Sequence, residues 1–201
     1  YQTLIDEQKF YTSLGDHELN MQTSMTSSWI VNEIGSVVIP RNASWKYLEL
    51  PNGDSFPTDW KEVSFNDTAW SSGLGGFGKG AVSGVTLNTT FATTVQNYLL
   101  RKDIESSSIA STGLVIETSI LGGAEIYING VLCYSYNMFY PITETSTALD
   151  DMAVVPTVYT EGYQQVIRIP KDYFNLVGTN QIAVLLKNTT IAYSKMHFEM
   201  Q

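Results

Sequence analysis

Asn129-Gly130, set between two apolar runs, constrains this chain more than any other pair of residues. It sits inside Gly122–Tyr140, GGAEIYINGVLCYSYNMFY. Both central residues of a tight type I′ turn need positive φ, which Asn and Gly tolerate best, so the pair predicts a two-residue β-hairpin. A two-residue loop sets the register, placing Ile128 opposite Val131, Ile126 opposite Cys133 and Ala124 opposite Ser135. Side chains alternate along a strand. One face then carries Ala124, Ile126, Ile128, Val131 and Cys133, and the other Glu125, Tyr127, Leu132, Tyr134 and Tyr136. The first face reads as core. The second is aromatic and polar, and function is expected there.

The remaining texture is strand and turn. Trp45–Leu50 alternates and stops at the turn cluster Pro51-Asn52-Gly53-Asp54. Trp60–Phe65 reads as a short strand. Asn66-Asp67-Thr68 reads as an Asx turn that swings Trp70 inward; Trp45 and Trp70 read as core. Gly73–Gly80 reads as a glycine-rich loop. Asn97–Glu105 and Gly113–Leu121 are strands, the latter with Leu114, Ile116 and Ile120 on one face. Val166–Ile169 is a strand, Lys171–Leu176 one helical turn ended by Gly178, and Ala192–Met200 the last strand. Gln181–Lys187 is apolar almost throughout, so it belongs at a sheet centre. Short strands at 8–12-residue spacing with no long helical pattern indicate an all-β fold, a jelly-roll β-sandwich over 41–201. Residues 1–40 read as an N-terminal arm or linker. It carries short strands at Ser28–Val31 and Ser36–Ile39 and adds a strand to the sheet or leads to a neighbouring domain.

Composition narrows the partners. A net charge of −9 provides no basic footprint for nucleic acid. There is no apolar run of membrane-spanning length, so no membrane insertion is expected. Cys133 is the one cysteine, which excludes an intrachain disulfide; the hairpin register turns it inward as a structural thiol. Four sequons, at Asn42, Asn66, Asn88 and Asn188, are candidate glycosylation sites and lean toward an extracellular, secreted or cell-surface protein.

Motifs for chemistry are sparse. Gly73–Gly80 matches nucleotide-binding patterns in letters only. Gly80 stands where a magnesium-binding hydroxyl is needed, and no helix follows to receive phosphate. His17 and His197 sit in no hydrolytic motif, and no metal-ligand spacing occurs. Asp150-Asp151 reads as a solvated loop. Calcium held by carboxylates and loop carbonyls stays open without a placed site, and no other cofactor is expected.

Several segments, in order, resemble galactose-binding-like jelly-roll domains. They are Ser44–Tyr47, Phe65–Trp70, Gly75–Gly78, Tyr98–Lys102, Gly123–Gly130, Asn137-Met138 and Gly178–Val184. The resemblance spans roughly 41–201. It implies a non-catalytic accessory module of a larger secreted or surface protein, with a glycan as ligand. Two departures stand out. Gly122-Gly123 replaces an acidic pair common in such domains, and Lys79 replaces an acid in the glycine-rich loop. Ligand contacts are expected from Lys79 and Arg101 as hydrogen-bond donors, Tyr134, Tyr136 and Tyr140 as stacking rings, and Asn137 as a polar reader. The alternative is a structural or assembly domain that meets neighbouring proteins through the arm and sheet edges.

Overall fold

In the computed structural model, the described residues are 37–51, 53–80, 86–92, 95–110, 112–138, 140–146, 148, 164–188 and 196–201. The chain divides into two units, Tyr1–Val37 and Val38–Gln201, and the fold below is that of the second. Its strands are β1 (Ser44–Leu50), β2 (Ser71–Leu74), β3 (Phe77–Lys79), β4 (Thr89–Thr90), β5 (Asn97–Glu105), β6 (Gly113–Leu121), β7 (Gly123–Ile128), β8 (Val131–Tyr136), β9 (Gln164–Pro170), β10 (Thr179–Lys187) and β11 (Met196–Met200). They form a six-stranded sheet, β2-β1-β5-β10-β7-β8, and a five-stranded sheet, β4-β3-β11-β6-β9. From β5 onward the chain passes repeatedly between the two sheets, the wrapping of a jelly-roll sandwich. Among the described residues there is no α-helix, only single 3₁₀ turns at Ser106–Ser108 and Lys171–Tyr173.

The six-stranded sheet is buried on both faces, and its central strands have the composition for that. In β10, Ile182, Val184 and Leu186 enter the core between the sheets with Tyr98, Leu100, Ile126, Phe77 and Phe198. The alternate residues Ala183 and Leu185 point outward, where they meet Leu99 and Tyr127. Segment 56–70, with Trp60, Phe65 and Trp70, and residues Met138 and Ile142 cover that outer face. Each such side chain withdrawn from water contributes about 1.5–3 kcal/mol, so the covering layer is a second core. Trp45 and Trp70 are both buried, as expected, but in different layers. The Asx turn forms too, with the Thr68 amide donating to Asn66 Oδ1 at 3.1 Å.

Four expectations need correction. The hairpin turn is as read, with positive φ at Asn129 (50°) and Gly130 (83°). Its register holds for only two pairs, Ile128–Val131 and Tyr127–Leu132, after which Ile126 pairs with Tyr134 and Ala124 with Tyr136. Cys133 is the extra residue of a β-bulge, and the bulge exchanges the faces beyond it. Tyr134 and Tyr136 therefore pack on the inter-sheet core, and Ser135 stands opposite Glu125. Cys133 is half-buried against that core, and burial pushes its thiol up to about 11.

The glycine-rich stretch is not one loop. It forms β2 and β3, joined at Gly75-Gly76. Gly78 is required because a Cβ there would lie 2.2 Å from the Met196 carbonyl oxygen of the neighbouring strand. Trp60–Phe65 is a run of turns rather than a strand, because its backbone groups satisfy one another locally: Glu62 N–H donates to Asp59 O and Phe65 N–H to Glu62 O. Val37–Ile39 is also not a strand, although Ile39 is buried in the core. The expectations for Ser28–Val31, His17 and Asp150-Asp151 lie outside the described residues.

Candidate functional site

The residues expected to bind ligand are dispersed. Lys79 is fully buried on the core side of β3, in step with Phe77. Its ammonium donates to Val95 O at 3.3 Å and lies 5.8 Å from the Tyr98 ring centroid. Burial pulls its pKa down, against the raising field of Glu49. Arg101 points to the opposite side of the six-stranded sheet, under the 60–67 turns. It donates through Nε to Asp67 at 2.8 Å, through Nη1 to the carbonyls of Trp60 and Glu62, and through Nη2 to Phe65 O and to Gln181 Oε1. Every face of its guanidinium is used in holding that segment on the sheet. Asn137 has φ +51° and donates to Gly122 O, closing the strand end. Tyr134 and Tyr136 are half-buried. Of the six, Tyr140 alone combines an exposed side chain, at 56%, with polar neighbours on the sheet's outer face.

Those neighbours make a coherent surface. The bulge brings Ser135 opposite Glu125, and the Tyr140 hydroxyl reaches both: it donates to Glu125 Oε1 at 2.7 Å and lies 2.9 Å from Ser135 Oγ. The other carboxylate oxygen, Oε2, accepts the hydroxyl of Tyr127. Glu125 is 2% exposed and Tyr127 7%. Burial, then the hydrogen bond and charge of Glu125, push the Tyr127 phenol far up, so it remains a donor. The Lys61 ammonium lies 4.1 Å from the Tyr127 ring centroid, a cation–π contact, and Trp60 meets the same ring edge-on at 5.9 Å. Beyond Lys61, Phe56, Pro57, Asp59, Trp60, Glu62 and Gly130 line an open depression of about 340 Å³.

Chemically this surface offers an exposed ring, a hydroxyl and a buried carboxylate fixed by two phenols. Among the described residues no group of three or more His, Cys, Asp and Glu is placed to hold a metal ion. Several carboxylates elsewhere are engaged. Glu49 accepts from the Ala92 amide, Asp67 pairs with Arg101, and Glu117 and Glu199 pair with Arg41. The sequons fall in different settings. Asn42, Asn66 and Asn88 are exposed, the Asn88 amide donating to Gly75 O at 2.6 Å, and Asn188 is 1% exposed.

No family model matches the chain, and no curated protein matches it. Solved structures do. A β-glycosidase from Bacteroides vulgatus shares 15% identity over 81% of this chain and 20% of that one, with a TM-score of 0.44. A Bacteroides uniformis β-glucuronidase shares 16% over 79% and 17%, with a TM-score of 0.45. A glycosyl hydrolase family 2 member from Bacteroides cellulosilyticus shares 14% over 79% and 20%, with a TM-score of 0.43. The chain thus spans about a fifth or less of the length of these enzymes.

Ser135, Lys61 and Trp60 are members of the surface that sequence reasoning does not select, and Glu125, placed on the hairpin's polar face, is not among the expected ligand contacts. Glu125 carried the one available signal, a lone carboxylate inside an apolar strand, which must find partners when buried. Ser135 was assigned to the wrong face by the missed bulge.

Proposed function

We propose that this chain is a non-catalytic carbohydrate-binding module of a larger secreted or surface protein, with the outer face of the β7–β8 hairpin as its ligand surface. The observation that carries this is Tyr140. Its side chain is more than half exposed while its hydroxyl is tied to a carboxylate that is itself buried. A ring already anchored loses little freedom when a sugar stacks on it, and the adjacent Ser135 hydroxyl and Glu125 oxygen suit sugar hydroxyls. Lys79, Arg101 and Asn137 serve the fold in this reading, and Tyr134 and Tyr136 are packing residues.

The test is a glycan array probed with the wild type, Tyr140→Ala and Tyr140→Phe. Selective binding by the wild type is expected, lost in Tyr140→Ala at an unchanged melting temperature and weakened in Tyr140→Phe, which keeps the ring without its anchor. Equal binding by wild type and Tyr140→Ala, or no glycan retained by folded protein, would sink the proposal.

A second reading, contact with a neighbouring protein domain, is favoured by Leu176 and Val177. These adjacent side chains are 77% and 88% exposed on a loop braced by Asn180 and Ser106. Replacing both with Ser should abolish assembly with that neighbour and leave glycan binding intact.

A further inference from the structure

We infer that Asn66 is an N-glycan acceptor of the folded chain, and that Asn88 and Asn188 are not. Asn66 lies on an exposed turn between two residues pinned inward. Phe65 packs edge-on against Trp70 at 5.5 Å, and Asp67 pairs with the buried Arg101 guanidinium at 2.8 Å. The same guanidinium binds the carbonyls of Trp60, Glu62 and Phe65, so the turn is held from beneath by a buried group. Asn66 projects from it without taking part in the packing.

The sequon's own residues complete the arrangement. Asn66 Oδ1 accepts both the Thr68 amide, at 3.1 Å, and the Thr68 hydroxyl, at 2.7 Å. Two donors on one carboxamide oxygen draw negative charge onto it and acidify the protons on Nδ2. Both bonds use Oδ1, which leaves Nδ2 for the sugar. The co-reactant is an oligosaccharide linked to a lipid diphosphate, presented by a secretory-pathway transferase. Nδ2 attacks the anomeric carbon, the bond from that carbon to the phosphate oxygen breaks, the phosphate leaves with the bonding pair, and Nδ2 gives up one proton to a base. An N-glycosidic bond results, with no change of oxidation state.

The other sequons differ. Asn88 is exposed, but its amide donates to Gly75 O and its backbone N–H to Gly76 O at 2.8 Å, so a sugar on Nδ2 would crowd the junction between β2 and β3. Asn188 follows β10 in the interior, its N–H donating to Gln96 O and its carbonyl accepting from Ala148. At 1% exposure it has no room for a saccharide. Asn42 is exposed and compatible with a glycan, but nothing comparable preorganises it.

The experiment is secretion of the full 201-residue chain from a eukaryotic cell, with peptide mapping after enzymatic deglycosylation in ¹⁸O water. Asn66 should be converted to labelled Asp, and Asn88 and Asn188 should remain Asn. Thr68→Ala should remove the label at position 66, and Asn66→Gln should shift the intact mass by one glycan while both variants melt as cooperatively as the wild type. A bare Asn66 in folded protein, a label on Asn88 or Asn188 in folded protein, or a Thr68→Ala variant still labelled at 66 would each overturn the assignment. None of these outcomes depends on whether the module binds sugar.

Discussion

Arg101→Met isolates the buried group that fastens the covering layer to the six-stranded sheet. Arg101 is 2% exposed, and its guanidinium serves five acceptors: the Asp67 carboxylate, the carbonyls of Trp60, Glu62 and Phe65, and Gln181 Oε1. Methionine keeps much of the length and apolar bulk but donates nothing. Each buried acceptor left unmade costs about 1–3 kcal/mol, although water can reach some of them once the turns relax. Asp67 is 22% exposed in its side chain, so it regains part of its solvation. Removing one partner of a buried ion pair costs about 3–5 kcal/mol overall, and that is the loss expected here. Urea denaturation followed by tryptophan fluorescence suits the question, because Trp60 and Trp70 lie in the affected layer. Hydrogen exchange should localise the new opening to 60–70 while β5 and β10 keep their protection. A loss below about 1 kcal/mol would mean that apolar contact alone holds the layer, and the assignment of Arg101 as its fastening would be wrong.

Three further outcomes follow from the same bonds. Burial lowers the His197 pKa to about 4, against the raising effect of the Phe77 backbone, and Nδ1 has no hydrogen-bond partner among the described residues. The unfolded chain therefore binds the extra proton between about pH 6.5 and 4, so stability should fall as pH drops through that window, by at most about 3 kcal/mol, and His197→Leu should flatten the fall in urea titrations across pH. Lys187 is fully buried and donates to Asn97 Oδ1, Thr143 O and Ser146 O at 2.6, 2.7 and 2.9 Å; burial, opposed by Glu144 and Glu125, lowers its pKa to about 8. Between pH 8 and 10.5 the unfolded state again holds more protons, so wild-type stability should rise relative to Lys187→Met over that range, and parallel curves would refute this. Gly78→Ala should cost about 1–3 kcal/mol or more in the same assay, because the added Cβ meets the Met196 carbonyl of the neighbouring strand, which cannot swing aside as a side chain can.

What was legible in the sequence follows from which signals are local. Strand β10 announced its central place because both of its faces are apolar, and β6 showed its inward face by alternation at Ile116 and Ile120. The hairpin turn was legible because Asn129 and Gly130 are chosen for φ, a property of two residues. The bulge was not, because it is set by what the partner strand and the core accept. Cys133 looks as good a core residue as Tyr134, and only the sheet beneath decides which one pairs with Ile126.

That single extra residue separates the expected site from the proposed one. With the ideal register, Tyr134 and Tyr136 would stand beside Tyr127 as an aromatic platform. With the bulge they turn inward and Ser135 turns out, beneath the Tyr140 hydroxyl. The burial of Arg101 and Lys79 is hidden in the sequence for a related reason. A cation in a strand reads as a surface donor until something is known to cover it, and the cover over Arg101 is a run of turns, Trp60–Trp70, whose signal is a scatter of aromatics without period. A carboxylate or cation inside an apolar strand has to be satisfied by a segment elsewhere in the chain. Glu125, Arg101 and Lys187 all lie on the outer face of the six-stranded sheet, so the three together demand a covering segment with polar groups of its own. Residues 56–70 and 140–146 meet that demand, with the Asp67 carboxylate on Arg101, the Tyr140 hydroxyl on Glu125 and the Thr143 and Ser146 carbonyls on Lys187.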